Sequence, residues 1–241
     1  MRKRADLLLV ERGFFDSRAK AQAAIAAGGV TADGRPVRKA SDALPVDAAI
    51  AAEAPHPWVS RAGVKLAAAL DAFAIDPAGL VCLDIGASTG GFTEVLVARG
   101  AAKVYAVDVG HGQLHPRLAA DPRVVSLEGV DARALTASEV PEPAGLLVAD
   151  VSFISLKLVL PAATGRIADG GHLVALVKPQ FEAGRAHLKK GIVREEAVRE
   201  AVVEDIAGLV RDLGLAVLGT MASPIAGGDG NVEYLIGARR G

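Results

Sequence analysis

From Ser60 onward the chain alternates short, almost wholly apolar runs with longer stretches of helical spacing, and this alternation restricts the fold more than any single residue does. The runs "LVCLDIG", "KVYAVDVG", "RVVSLEG", "GLLVAD" and "GHLVALVK" have the length of strands. Strands apolar at consecutive positions need cover on both faces. The intervening "GGFTEVLVARG", "SLKLVLPAA" and "REEAVREAVVEDIAGLVRDLG" supply it as helices, and "SRAGVKLAAALDAF" reads as one more helix ahead of the first strand. Strand–helix alternation builds a parallel sheet through crossover connections. The expected fold class is α/β, a Rossmann-like, mostly parallel sheet. "LAVLGTMASP" and "VEYLIGARR" have no helix between them, which predicts an antiparallel hairpin and an antiparallel last strand.

The N-terminal residues follow another pattern. "RADLLLVERG" and "DSRAKAQAAIAAGG" read as short helices stopped by Gly13 and by Gly28–Gly29, the second with Asp16 and Ser17 as candidate caps. "VTADGRPV" reads as a hairpin turned at Asp33–Gly34, and "ALPVDAAIAAE" as a further extended piece. Pro55 and Pro57 in "APHPWVSR" interrupt any helix. These readings predict a small α+β domain over residues 1–52, a linker at 53–59 and the α/β domain over 60–241. Net charge is −1, yet residues 1–40 hold nine Lys/Arg against four Asp/Glu, and the remainder holds 18 against 24. A basic module on a mildly acidic body suggests a polyanion partner, although a solvated basic face accounts for the same numbers. One cysteine, Cys82, excludes an internal disulfide framework and reads as a small core residue of a protein in a reducing cytoplasm. No run reaches the ~18 apolar residues of a membrane span.

"LVCLDIGASTGGFTEVL" has the strand, glycine loop, helix order of a nucleotide-binding turn, with glycines at Gly86, Gly90 and Gly91. The spacing is neither that of a dinucleotide fingerprint nor that of a P-loop. Alone, such a loop equally makes a tight strand-to-helix connection. Three carboxylates add to it. Asp84 closes the strand before the loop. Asp108 closes the next strand, placed to accept both hydroxyls of a ribose or to cap a helix. Asp131, in "LEGVDAR", is placed to reach an adenine amino group. The set favours a nucleoside-bearing cofactor without a pyrophosphate. S-adenosylmethionine fits, with Asp84 meeting its ammonium group and Ser88 and Phe92 completing the candidate cofactor residues.

Four further polar residues stand at informative places. Lys65 lies on the helix before the sheet, Asp150 ends "GLLVAD", Lys178 ends "GHLVALVK", and Glu233 opens the last strand. A lysine that ends an apolar strand either reaches solvent along its aliphatic stem or serves chemistry at the sheet's carboxyl edge. Adjacent parallel strands end on one crevice, so Asp150 and Lys178 are expected to be neighbours. Glu233, on a strand of opposite direction, is expected at the same edge.

"SRAGVKL", "DIGASTGGFTE", "VADVSFISL", "LVKPQFEAG" and "GNVEYL" resemble the TlyA family of ribosomal RNA 2′-O-methyltransferases, related to FtsJ-type enzymes. "SRAKAQAAIAAGGVTADGRPV" resembles the small RNA-binding module first known from a small-subunit ribosomal protein, with Asp33 where asparagine is usual. The resemblance covers almost the whole chain. It implies a class I methyltransferase sheet with an N-terminal RNA-binding domain, S-adenosylmethionine as cofactor, ribosomal RNA or ribosomal subunits as partner, and neither a metal nor a membrane. It implies a catalytic set of Lys65, Asp150, Lys178 and Glu233. A ribose hydroxyl is a poor nucleophile that must be aligned and relieved of its proton. Lys178 is expected to be the base or the group that orients the hydroxyl, with Lys65 holding the ribose and the carboxylates fixing the lysines. Arg4, Arg18, Lys20, Arg35, Arg61, Arg185 and Lys189 are the expected RNA contacts, the last two within "GRAHLKKGIVR", which reads equally as a solvated basic loop. Longer N-termini in this family accompany modification of both subunits. Here the module begins almost at Met1, which leans towards cytidine in the large subunit. Two other functions compete: a membrane-active hemolysin, a label relatives carry, and a non-catalytic RNA-binding assembly factor.

Overall fold

The computed structural model describes residues 1–53, 56–227 and 230–241. The chain forms two compact units, Met1–Pro57 and Trp58–Gly241. Part of the linker expected at 53–59, Ala54 and Pro55, lies outside the described residues.

The first unit runs β1 (Arg2–Arg4), α1 (Ala5–Glu11), α2 (Arg18–Ala26), β2 (Val30–Ala32), β3 (Arg35–Pro36), β4 (Ala43–Pro45) and β5 (Ile50–Ala52). Strand β1 pairs with β4, and β2 lies between β3 and β5, all antiparallel. Ser17 caps α2 by accepting the Lys20 N–H. The β2–β3 turn places Asp33 and Gly34 at φ 51° and 74°, the left-handed pair that a two-residue hairpin needs. The aspartate is accommodated because its Oδ1 accepts the Ala49 N–H at 2.8 Å. Leu8, Leu9, Ile25 and Val30 form the core of this unit.

The second unit contains α3 (Ala62–Ala72), β6 (Val81–Ile85), α4 (Gly91–Ala98), β7 (Lys103–Asp108), α5 (Pro116–Ala119), β8 (Val124–Glu128), β9 (Ala144–Ala149), α6 (Leu156–Thr164), β10 (Ile167–Val177), α7 (Pro179–Glu182), β11 (Leu188–Lys189), β12 (Ile192–Val193), α8 (Glu196–Asp212), β13 (Leu215–Ala222) and β14 (Tyr234–Arg240). Seven strands form one sheet in the order β13-β14-β10-β9-β6-β7-β8. Strands β10, β9, β6, β7 and β8 are parallel, and β14 is antiparallel to both of its neighbours. The expected hairpin is present, but β14 sits between β10 and β13. Burial explains the order: β14 is buried at four consecutive positions, whereas β13 alternates and suits an edge.

Period-two alternation divides each strand between two cores. Leu83, Ile85, Leu147, Ala149, Leu173, Ala175, Val177 and Ile236 face one side, under α6 and α8. Cys82, Val104, Leu146, Val148, Val174, Leu176 and Leu235 face the other, under α3 and α4. Consecutive apolar residues were therefore required. No helix among the described residues is long and apolar enough to cross a membrane.

Candidate active site

The same alternation aims four polar side chains at one face. Counting on from Cys82, Val148, Leu176 and Leu235 in steps of two, Asp84, Asp150, Lys178 and Glu233 fall on the α3/α4 side at the carboxyl edge. Val177 pairs with Tyr234, so Lys178 and Glu233 face each other one step beyond the last pair. Lys178 Nζ lies 2.6 Å from Asp150 Oδ1 and donates to Ser152 Oγ at 2.7 Å. The contact with Asp150 is an ion pair rather than an aligned hydrogen bond. Lys65, one turn into α3, donates to Glu233 Oε2. Lys65, Lys178 and Glu233 are all buried. Buried ions persist where each finds an opposite charge. The lysine strand end is thus not a side chain escaping to water.

Beside this set, within the same unit, opens a cleft of about 400 Å³. Gly86, Ser88, Asp108, Asp131 and Asp150 line it, together with Val109, Gln113, Ser152 and Phe153. Gly86 has φ 81°, and a Cβ there would stand 2.5 Å from the Asp150 carbonyl oxygen, so only glycine brings the loop this close to the end of β9. Asp108 accepts the Ser88 and Gly110 N–H groups, both at 2.8 Å, which fixes the loop around it. Asp131 borders the cleft, but Arg133 grips its carboxylate and lowers its pKa. Asp84 is fully buried. Thr93 Oγ1 donates to its Oδ2 at 2.6 Å, and its Oδ1 has no partner. Burial, opposed by the Thr93 hydrogen bond, raises the Asp84 pKa from 3.8 to about 7. An orphaned acceptor beneath the glycine loop is what a cationic group of a ligand would satisfy, so the donor set fits the expected nucleoside cofactor. Burial and then Asp84 push the Cys82 thiol up to about 12, as befits an inert core residue.

Four expected cofactor residues do not line the cleft: Asp84, with no exposed surface, and three that stand further off. Phe92 is 2% exposed and packs in the core between α3 and α4, because the helical stripe Phe92, Val95 and Leu96 faces inward. It is not a wall of the cleft. Gly90 and Gly91 also lie off the cleft. Added Cβ atoms would meet Leu118 Cδ1 and Ser60 Oγ, so these glycines serve packing around the start of α4.

The expected RNA contacts are exposed, apart from the half-buried Lys20, but partly committed. Arg4 and Arg18 both donate to Asp6, a carboxylate with no exposed surface, and Gln22 joins them at 2.8 Å. Lys20 pairs with Asp16 at 2.8 Å, and Arg61 donates to the Ala226 carbonyl. Arg35, Arg185 and Lys189 are exposed. Several site residues escaped the sequence reading. Ser152, on the cleft wall, is ordinary in composition, and so is Glu94, which lies off that wall. Glu94 is buried, accepts the Val59 N–H and pairs with Arg117. Phe153 is 91% exposed at the cleft with φ 64°, its ring 5.2 Å from that of Phe181. An exposed aromatic in a left-handed conformation marks a site, but no pattern in the sequence announces it.

A parallel sheet closed by an inserted antiparallel strand, a glycine loop over a nucleoside-sized cleft, and a Lys–Asp, Lys–Glu edge define an enzyme with a Rossmann-like methyltransferase fold. Comparison with known proteins narrows this. The FtsJ-like methyltransferase family matches residues 58–240, and the S4 domain matches residues 3–50. The chain is 47% identical over 241 residues to the 16S/23S rRNA (cytidine-2'-O)-methyltransferase TlyA of Mycobacterium tuberculosis, covering 99% of this chain and 90% of that one. It is 40% identical over 237 residues to Hemolysin A of Brachyspira hyodysenteriae, covering 96% and 98%. A solved structure of a protein named as a hemolysin from Streptococcus thermophilus superposes with a TM-score of 0.79 at 40% identity, covering 99% and 88%. The chain belongs to the TlyA family of ribosomal RNA 2′-O-methyltransferases, with an FtsJ-like domain and an S4 domain.

Proposed function

We propose that this protein methylates the ribose 2′-hydroxyl of a cytidine in ribosomal RNA, using S-adenosylmethionine. The observation that carries the reading is the buried Lys178, held by two residues that line the cleft, Asp150 at 2.6 Å and Ser152 at 2.7 Å. When bound, S-adenosylmethionine supplies an electrophilic methyl group. Asp108 is the acceptor for ribose hydroxyls, Asp84 Oδ1 the acceptor for an ammonium group, and Gly86 and Ser88 the loop that lies against the ligand.

Lys178 orients the target hydroxyl and, in its deprotonated form, receives the hydroxyl proton. The close pair with Asp150 is the arrangement the resulting ammonium requires. Lys65, held by Glu233, places a second cation at the same edge. That cation holds the target ribose. Phe153 offers an exposed aromatic face on which an unstacked base can lie. The basic residues of the S4 domain contribute phosphate affinity without reading sequence.

The test is transfer of labelled methyl to separated ribosomal subunits from a strain lacking the enzyme, with Lys178→Ala alongside. Label from the wild-type protein alone, at one alkali-resistant position, supports the reading and names the subunit. No label on either subunit despite cofactor binding overturns it.

A further inference from the structure

The hairpin β11–β12 is too small to hold itself. It pairs Leu188 with Val193 and Lys189 with Ile192, and it turns through Lys190 and Gly191 at φ 54° and 79°. An isolated ladder of this size is not stable in water. Its side chains are strongly basic: Lys189 and Lys190 are exposed, with Arg185 and Arg194 exposed on either flank. The contact from Lys189 to Glu195 is long, 3.4 Å, between side chains 69% and 63% exposed, and contributes little.

Asn231 fastens this hairpin. The residue is 1% exposed, and both ends of its amide are used. Its Oδ1 accepts the Val193 N–H at 3.3 Å, and its Nδ2 donates to the Gly191 carbonyl at 3.1 Å. Its own carbonyl accepts the Gly227 N–H at 2.9 Å. Two residues further on stands Glu233, whose Oε1 would lie 2.5 Å from any Cβ placed at Gly227. One buried amide therefore joins the turn that carries the exposed cations to the segment that carries the partner of Lys65.

We infer that Asn231 is a positioning residue: it fixes the spacing between the RNA phosphates gripped by the β11–β12 hairpin and the Lys65–Glu233 pair. This rests on the RNA methyltransferase reading. A buried amide with both ends bonded cannot rotate away without leaving a polar group unpaired. Binding energy at the hairpin is thereby converted into placement of the ribose at the sheet edge, which is what remote substrate contacts contribute to catalysis. An asparagine that served only the fold would show no dependence on the hairpin's charges.

That difference supplies the test, a cycle of steady-state kinetics on the ribosomal substrate with wild-type protein, Asn231→Asp, the double variant Lys189→Ala/Lys190→Ala, and the triple variant. Asn231→Asp keeps the shape and the acceptor for Val193 but turns an oxygen against the Gly191 carbonyl. We expect it to raise KM for RNA about tenfold, with S-adenosylhomocysteine affinity unchanged. The double variant should also raise KM and flatten its salt dependence. The triple variant should be no worse than the double. An equal factor from Asn231→Asp in both backgrounds, or a loss of cofactor affinity with KM unmoved, would overturn the inference. Asn231→Ser completes the same cycle should Asn231→Asp fail to fold. Wild-type protein that labels no ribosomal RNA would instead remove the functional reading itself.

Discussion

Asp84 allows the cofactor site to be tested without any RNA. Its carboxyl is fully buried, and burial raises its pKa from 3.8 to about 7. At pH values below both the unfolded and the folded pKa, both states carry the proton and the group has no effect on stability. Between 3.8 and about 7 the unfolded chain has released the proton while the folded chain keeps it. Stability then falls as pH rises, by about 1.4 kcal/mol for each unit. Above the folded pKa both states are ionised and the loss stops growing, at roughly 4 kcal/mol. Asp84→Asn keeps an acceptor for the Thr93 hydroxyl and removes the titration. Urea unfolding should therefore show the two proteins alike near pH 4, with the variant progressively more stable up to neutral pH and a constant gap beyond. A ligand ammonium that meets Oδ1 reverses this penalty by favouring the ionised carboxyl. Below neutral pH, S-adenosylhomocysteine binding should thus release a proton from the wild-type protein and none from the variant. Titration calorimetry in two buffers of different ionisation enthalpy measures that proton. Parallel pH–stability curves for the two proteins would refute the burial argument. Equal affinity with no difference in proton release would remove Asp84 from the ligand site.

Three other outcomes follow from the same geometry. Lys178→Ala should slow single-turnover methyl transfer by about 10²–10⁴-fold with S-adenosylhomocysteine affinity unchanged, and Lys178→Arg should not restore it, because a guanidinium does not give up its proton. Lys65→Met or Glu233→Gln strands a buried charge or its partner and should cost about 3–5 kcal/mol in urea unfolding. The double variant Lys65→Met/Glu233→Leu should recover much of that stability and remain inactive; a double variant as unstable as the singles would show that the pair is not the source of the cost. Gly86→Ala should lower the melting temperature and abolish cofactor binding, since its Cβ meets the Asp150 carbonyl at 2.5 Å. Gly112→Ala, at φ 65° with nothing within 4 Å, carries the backbone strain alone and should retain binding in the same calorimetric assay.

What could be read from the sequence divides along a physical line. Apolar runs of strand length, alternating with helices, made the parallel sheet legible and put Asp150 and Lys178 at neighbouring strand ends. Continuing the two-residue step past each run also assigns Asp84, Asp150, Lys178 and Glu233 to one face, because the step that separates the two cores persists for a residue or two beyond the ladder. The insertion of β14 between β10 and β13 was not legible, since a hairpin at a sheet edge can dock through either strand and only burial on both faces of "YLIGA" decides it. Phe92 was misplaced by its adjacency to the glycines, although its spacing to Val95 and Leu96 is that of a core stripe. Ser152, Glu94 and Asn231 were invisible for a different reason. Each is a single polar residue whose role consists of one or two hydrogen bonds to positions 23 to 40 residues away, and no periodicity encodes such contacts. Alternation decides which side chains share a face, but only tertiary contact decides which of them are held rigid. In this site the charged groups belong to the first kind of information, and the short polar residues that immobilise them belong to the second.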